Sequence, residues 1–217
     1  MGGTVARWTS DGDEVHYVVM TDGSAGNNEP GAIREETANV REREQRAAAA
    51  VLGVTSCTFL GFRDGELELT LELRKALTRE VRRLQPDLLV GPDPSRRWIG
   101  DIYINHIDHR VAGEAVLACV MPDAPSRPQF PELLDEGFEP WAISSLWLLA
   151  EDGETFVDIG ATIDTKLAAL VEHRSQDGGS AQAEALVRTR ARHFGERAGC
   201  EYAEGFRTFR FGEPADE

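Results

Sequence analysis

The chain has 217 residues, 41% of them hydrophobic and 28% charged, with a formal net charge of −15. That length and balance suit a single α/β domain, here taken as residues 1–217, with a core of its own. The acidic surplus argues against a nucleic-acid partner, which needs clustered Lys and Arg, and against an anionic membrane surface.

The elements follow in order. "GGTVARWTSDGD" reads as a helix ending near Gly12, and "EVHYVVMTDG" as a strand closed by Asp22-Gly23. A polar loop, "SAGNNEPG", leads into a long helix over "REETANVREREQRAAAAVLGV", where Ala47 to Ala50 favour helix and Gly53 stops it. "TSCTFLGF" is a strand. A helix is expected over "ELELTLELRKALTREVRRLQ", with Leu73, Leu77, Val81 and Leu84 at helical spacing. "PDLLVGPDP" is a short buried strand, and "HRVAGEAVLACVM" a helix that begins at a histidine cluster. A proline-rich excursion, "PDAPSRPQFPELLDEGFEP", precedes two further strands, "ISSLWLLA" and "TFVDIG". "TIDTKLAALVEHRSQ" and "SAQAEALVRTRARHFGERAG" are helices, and "AEGFRTFRFG" is a last strand or edge segment. Strand and helix alternate through the first half, so a parallel sheet covered on both faces is expected. No apolar run reaches the length of a membrane span and no signal peptide opens the chain. Cys57, Cys119 and Cys200 stand far apart without a Cys-x-x-Cys, which points to reduced thiols and a cytoplasmic protein.

Two of the five histidines fall in "YINHIDHR", where His106, Asp108 and His109 lie within four positions. The cluster sits just beyond a strand's carboxyl end, at the edge where open α/β sheets take ligands. A catalytic or metal role there competes with plain helix capping, and a lone His-x-Asp-His has too few ligands for zinc, which wants at least three from distant parts of a chain. "MGGT" lacks G-x-G-x-x-G and a Walker lysine. Its glycines more simply let a helix N-terminus pack closely.

Taken in order, "GGTVARW", "VVMTDG", "REREQRAAAAVLGV", "FLGFRDGEL", "PDLLVGPDP", "NHIDHR", "KLAALVEHRSQ" and "AEGFR" span almost the whole chain. Together they resemble the LmbE-like, or PIG-L, family of metal-dependent N-acetyl deacetylases. The resemblance implies a Rossmann-like, mostly parallel sheet with helices on both faces. It implies a Zn2+ or other divalent metal and a small-molecule N-acetyl sugar conjugate as substrate. The family carries a His-Pro-Asp-Asp motif at the end of its first strand, shortly before Gly-Gly-Thr. Here the chain opens at Met1-Gly2-Gly3-Thr4. The first strand, two of the usual three protein ligands and the carboxylate usually assigned as general base are therefore expected to lie outside these residues. A start codon placed too late is the favoured explanation; a truncated, inactive relative is the other.

The resemblance assigns His109 as a metal ligand. It assigns His106 to the oxyanion or leaving amine, as an electrophile or general acid, and Asp108 to orienting an imidazole. It places Arg41 against the sugar or phosphate moiety, although Arg41 and Glu44 also read as a solvated pair three residues apart, and Arg34 competes from nearer the polar loop. Asp64 in "FRDGE" is either an ordinary turn residue or an acceptor for sugar hydroxyls, and Asp22 has the same double reading. Tyr103 could donate to an oxyanion, and Trp98 could line a pocket. His173, with Ser175 and Gln176 in "HRSQ", is accounted for by a helix C-terminus, and His16 and His193 take no role. Two functions are weighed: a hydrolase that removes the N-acetyl group of an N-acetylglucosamine-type conjugate, and a non-catalytic remnant that binds a sugar or a protein partner. The acceptor is open, as is the oligomeric state, a homo-oligomer included.

Overall fold

The computed structural model describes residues 1–99, 101 and 103–212. In chain order come α1 (Gly2–Asp11), β1 (His16–Thr21), α2 (Arg34–Val51), β2 (Ser56–Phe62), α3 (Leu71–Leu84) and β3 (Leu88–Pro92). Two short strands follow, β4 (Trp98–Ile99) and β5 (Tyr103–Ile104), then α4 (Ile107–Ala118), α5 (Glu132–Asp135), β6 (Ser145–Leu149), β7 (Thr155–Asp158), α6 (Ile163–Val171), α7 (Ala181–Ala198) and β8 (Ala203–Arg210). The fold is α/β, and the chain forms two compact units: residues 1–64 with 155–205, and residues 65–154 with the segment from Phe206 onward.

In the first unit, β1 and β2 pair in parallel, His16 opposite Ser56 through Val19 opposite Phe59, with an irregularity before Thr21. Val5, Ala6, Ala48, Leu52 and Ala169 form a buried cluster where small residues let α1, α2 and α6 approach closely. Gly3 bears out the close packing expected of the two glycines: a Cβ there would lie 2.8 Å from Ile159. α1 ends on Gly12 in the left-handed region, φ 99°, as its sequence predicts. Its N-terminus is held by the buried Glu204 carboxylate, which accepts from the Thr4 N–H at 2.8 Å and the Gly3 N–H at 3.3 Å and pairs with Lys166 Nζ at 2.6 Å.

In the second unit, β3 pairs in parallel with β6, and β6 in antiparallel with the later part of β8, Leu149 opposite Phe206. β8 thus adds an antiparallel partner to the mostly parallel pairing expected. α3 starts five residues after the predicted point, because Thr70 caps it: its Oγ1 accepts from the Leu73 N–H at 3.1 Å. The residues ahead of Thr70 run as a loop whose N–H groups are used elsewhere. α4 lies hard on β3, since a Cβ on Gly91 would meet Val116 at 2.9 Å and one on Gly113 would meet the Pro92 carbonyl at 2.6 Å. Those two glycines set where the N-terminus of α4 sits. The proline-rich excursion is pinned from within. Arg82, 2% exposed, donates to the carbonyls of Asp123, Ala124, Ser126 and Gln129, and Arg74 makes a two-pronged pair with buried Asp123 at 2.6 and 2.8 Å. No helix among the described residues is long and apolar enough to cross a membrane.

Candidate functional site

His106 is the N-cap of α4. Its backbone is extended, φ −55° and ψ 141°, and its Nδ1 accepts from the Asp108 N–H at 3.3 Å. One of the donors that a helix start leaves without an intrahelical partner is thereby satisfied by an imidazole. The same bond fixes the ring's proton: an Nδ1 that accepts leaves Nε2 as the N–H donor of the neutral form.

The Asp108 carboxylate is buried in the first turn of α4, where the helix dipole favours negative charge. It accepts from the Gly65 N–H at 2.7 Å and from the Leu67 N–H at 3.4 Å. This is where the donors of the loop ahead of α3 go. The carboxylate stands 3.8 Å from His106 Nδ1, beyond hydrogen-bond length, so the backbone of Asp108 rather than its carboxylate orients that imidazole.

His109, one turn in, has its ring centroid 5.9 Å from that of His106, tilted by 59°. Its Nδ1 lies 3.0 Å from Asn105 Oδ1. Tyr103 and Trp98 are exposed on the β4–β5 hairpin, Tyr103 opposite Ile99 and Trp98 opposite Ile104. Two-residue strands carry no periodic signal, and this hairpin was not expected from the sequence.

The first unit gathers the remaining predicted residues around its polar loop. Asp22 Oδ1 accepts from the N–H groups of Ser24, at 2.9 Å, and Asp64, at 3.0 Å. Burial alone would raise the Asp22 carboxyl, but Ser24, the Asp64 N–H and Arg34 hold it below the usual carboxylate range. Asp64 Oδ2 accepts from the Ala25 N–H at 3.2 Å. Arg34 donates to Ser24 Oγ at 3.0 Å and to the Asp64 carbonyl at 2.6 Å, which makes it a brace for the loop. Arg41 lies against the same loop: a Cβ on Gly26 would run into its guanidinium, and one on Gly23 would meet its stem at 3.3 Å. Glu44 is engaged by Ser175, through the N–H at 2.8 Å and Oγ at 2.7 Å, so "HRSQ" ties the helix end to α2. Burial pushes the His173 imidazole down, with Glu44 opposing and Arg41 adding to the shift.

Asp64 precedes Gly65 by one peptide bond. Within the second unit, His106 and the buried Asp108 carboxylate stand together at the start of α4. Carboxylate and imidazole donors suit zinc and other divalent cations, so the donor types fit a metal without selecting one. Sequence reasoning passed over Asn105 and the Gly65 and Leu67 N–H groups. Asn105 had a usable signal, four residues before a histidine at a helix start. The backbone donors had none.

Comparison with known proteins gives one consistent picture. The family model described as PIG-L, GlcNAc-PI de-N-acetylase, matches residues 1–120. A diacetylchitobiose deacetylase of Thermococcus kodakarensis is 34% identical over 214 residues, 95% of this chain and 76% of that one. A 1D-myo-inositol 2-acetamido-2-deoxy-alpha-D-glucopyranoside deacetylase of Rhodococcus jostii is 26% identical over 237 residues, 81% of this chain and 76% of that one. Among solved structures, N,N'-diacetylchitobiose deacetylase from Pyrococcus horikoshii superposes with a TM-score of 0.88 at 35% identity, covering 97% of this chain and 78% of that one.

Proposed function

The chain belongs to the PIG-L family, and on that premise we propose that it is a metal-dependent hydrolase that removes the acetyl group from an N-acetylglucosamine-type sugar conjugate. The observation that carries this reading is the N-terminus of α4, where two imidazoles flank a buried carboxylate locked by two backbone N–H groups. A divalent metal, when bound, supplies Lewis acidity at the amide carbonyl and makes a water more acidic. His109 is the ligand we assign to it, with the Asp108 carboxylate beside it in the first turn of the same helix.

His106 supplies a proton donor at a defined atom. With Nδ1 committed to the Asp108 N–H, the neutral ring presents Nε2–H. That N–H suits a hydrogen bond to the carbonyl oxygen as it gains charge. Acting as a general acid instead would require the proton-bearing imidazolium, which would break the helix cap. The geometry therefore favours the oxyanion role. Asp108 sets the α4 N-terminus against the Gly65 loop and is the positioning residue of the site. Tyr103 is exposed on the hairpin just before His106 and is kept as a substrate contact, as is Asp64.

The deciding measurement is acetate release by the full-length gene product from N,N'-diacetylchitobiose and from N-acetylglucosaminyl conjugates of inositol or malate. Release is expected, with loss on chelation and return on adding Zn2+. Saturable sugar binding with no acetate under any divalent metal would favour a binding protein. Arg41 is proposed as a substrate contact, because its stem lies against Gly23 and its half-buried guanidinium against Gly26 of the polar loop. Arg41→Ala is expected to raise KM about tenfold with a smaller effect on kcat, as loss of uniform binding does. An unchanged KM across several N-acetyl sugars would reduce Arg41 to a loop brace. The cytoplasm is the compartment proposed, in keeping with three cysteines outside any disulfide.

A further inference from the structure

Asn105, 8% exposed, joins the β4–β5 hairpin to α4. Its N–H donates to the Arg97 carbonyl at 2.9 Å, and its Nδ2 to the Arg96 carbonyl at 2.8 Å. Arg96 is itself tied by its guanidinium to Glu151 at 2.6 Å. The third contact of Asn105 is Oδ1 to His109 Nδ1, at 3.0 Å.

The side-chain amide has one workable orientation. The Arg96 carbonyl only accepts, so the NH2 end must face it. The carbonyl end then faces His109, and a carbonyl oxygen also only accepts. His109 Nδ1 must therefore carry the proton. A neutral imidazole has one such proton, so the lone pair falls on Nε2. An imidazole left to itself in water prefers the opposite arrangement, with the proton on Nε2. We propose that Asn105 is a positioning residue that selects the Nδ1–H tautomer of His109 and so presents Nε2 as a ligand atom. Metal-bound histidines are held this way by an acceptor on the far nitrogen, and loss of such an acceptor weakens binding.

The ligand half of the inference rests on the metal role proposed for His109; the tautomer half does not. Both are read on full-length, metal-free protein labelled with 15N-histidine. Long-range 1H–15N spectra distinguish a protonated ring nitrogen from one with a lone pair, and His109→Gln identifies the signal. Wild type is expected to show a protonated Nδ1 and a lone pair on Nε2. Asn105→Leu should swing the population toward Nε2–H and weaken Zn2+ about 10–100-fold. Asn105→Asp, whose carboxylate also only accepts, should keep the wild-type tautomer. A wild-type His109 protonated on Nε2, or a tautomer indifferent to Asn105→Leu, overturns the proposal, and the wild-type spectrum alone decides the first of these if the leucine variant fails to fold. An Nδ1–H tautomer lost in Asn105→Leu with unmoved Zn2+ affinity would remove His109 from the ligands and leave the tautomer assignment standing.

Discussion

His106→Ala is expected to lower kcat about 10²–10⁴-fold while KM moves little, as loss of a group that acts on developing charge does. The imidazole is exposed and its Nδ1 is already spent on the Asp108 N–H, so what it offers a substrate is Nε2–H. The same substitution also removes a helix cap, worth about 1 kcal/mol, and a sagging α4 could be mistaken for lost chemistry. His106→Asn separates the two. Asparagine is a good N-cap and should restore the melting temperature, yet its short amide cannot stand in for the imidazole N–H, so turnover should stay low. The pH profile separates donor from acid. A neutral Nε2–H donor keeps working on the alkaline side of the histidine titration, whereas a general acid loses activity there. Recovery of turnover in His106→Asn would sink the role assigned to His106, and an alkaline loss that disappears with His106 would replace the donor by an acid.

The sequence was informative wherever a side chain announced its own backbone. Gly12 marked the end of α1, Gly53 lies just past the end of α2 with φ 74°, and the apolar spacing of Leu73, Leu77 and Val81 gave α3 its buried face. The start of α3 was misplaced because "ELELT" has helical composition, while Thr70 and the demands of Asp108 decide the matter through hydrogen bonds that composition does not carry. The "NHIDHR" cluster was legible as a site because its residue types are costly to keep for packing alone. How its members divide the work was not. That Asp108 reaches its neighbours through backbone donors of Gly65 and Leu67, and that Arg34 braces a loop while Glu44 answers Ser175, are facts of long-range pairing. A single sequence holds no record of which residues thirty or more positions apart come to touch.

Glu204→Gln is expected to cost about 3 kcal/mol of stability, the low end for breaking a buried ion pair, because Lys166 keeps 20% of its side-chain surface in water. In a chain of this size that is a fall of about 6–12 °C in the melting temperature. Nothing in "AEGFR" advertised this weight, yet the carboxylate holds the Gly3 and Thr4 N–H groups and Lys166 at once, at the end of α1 where the helix dipole also favours it. Burial alone would raise its pKa. Against burial, Lys166 and the Thr4 contact favour the ionised carboxyl, which is held below the usual carboxylate range. The sign of the pH dependence follows. A depressed folded pKa adds stability above the unfolded value of about 4.5 and loses it as pH falls toward the folded one. The gap between wild type and Glu204→Gln should therefore be full near neutral pH and narrow progressively below about pH 4.5. The double variant Glu204→Gln/Lys166→Met should recover part of the loss at neutral pH, because the stranded ammonium is the larger part of the penalty. Urea melts of the three proteins across that pH range read all of it. A gap that stays constant in acid would show that the carboxylate's charge contributes nothing, and a double variant no more stable than the single would assign the loss to packing instead.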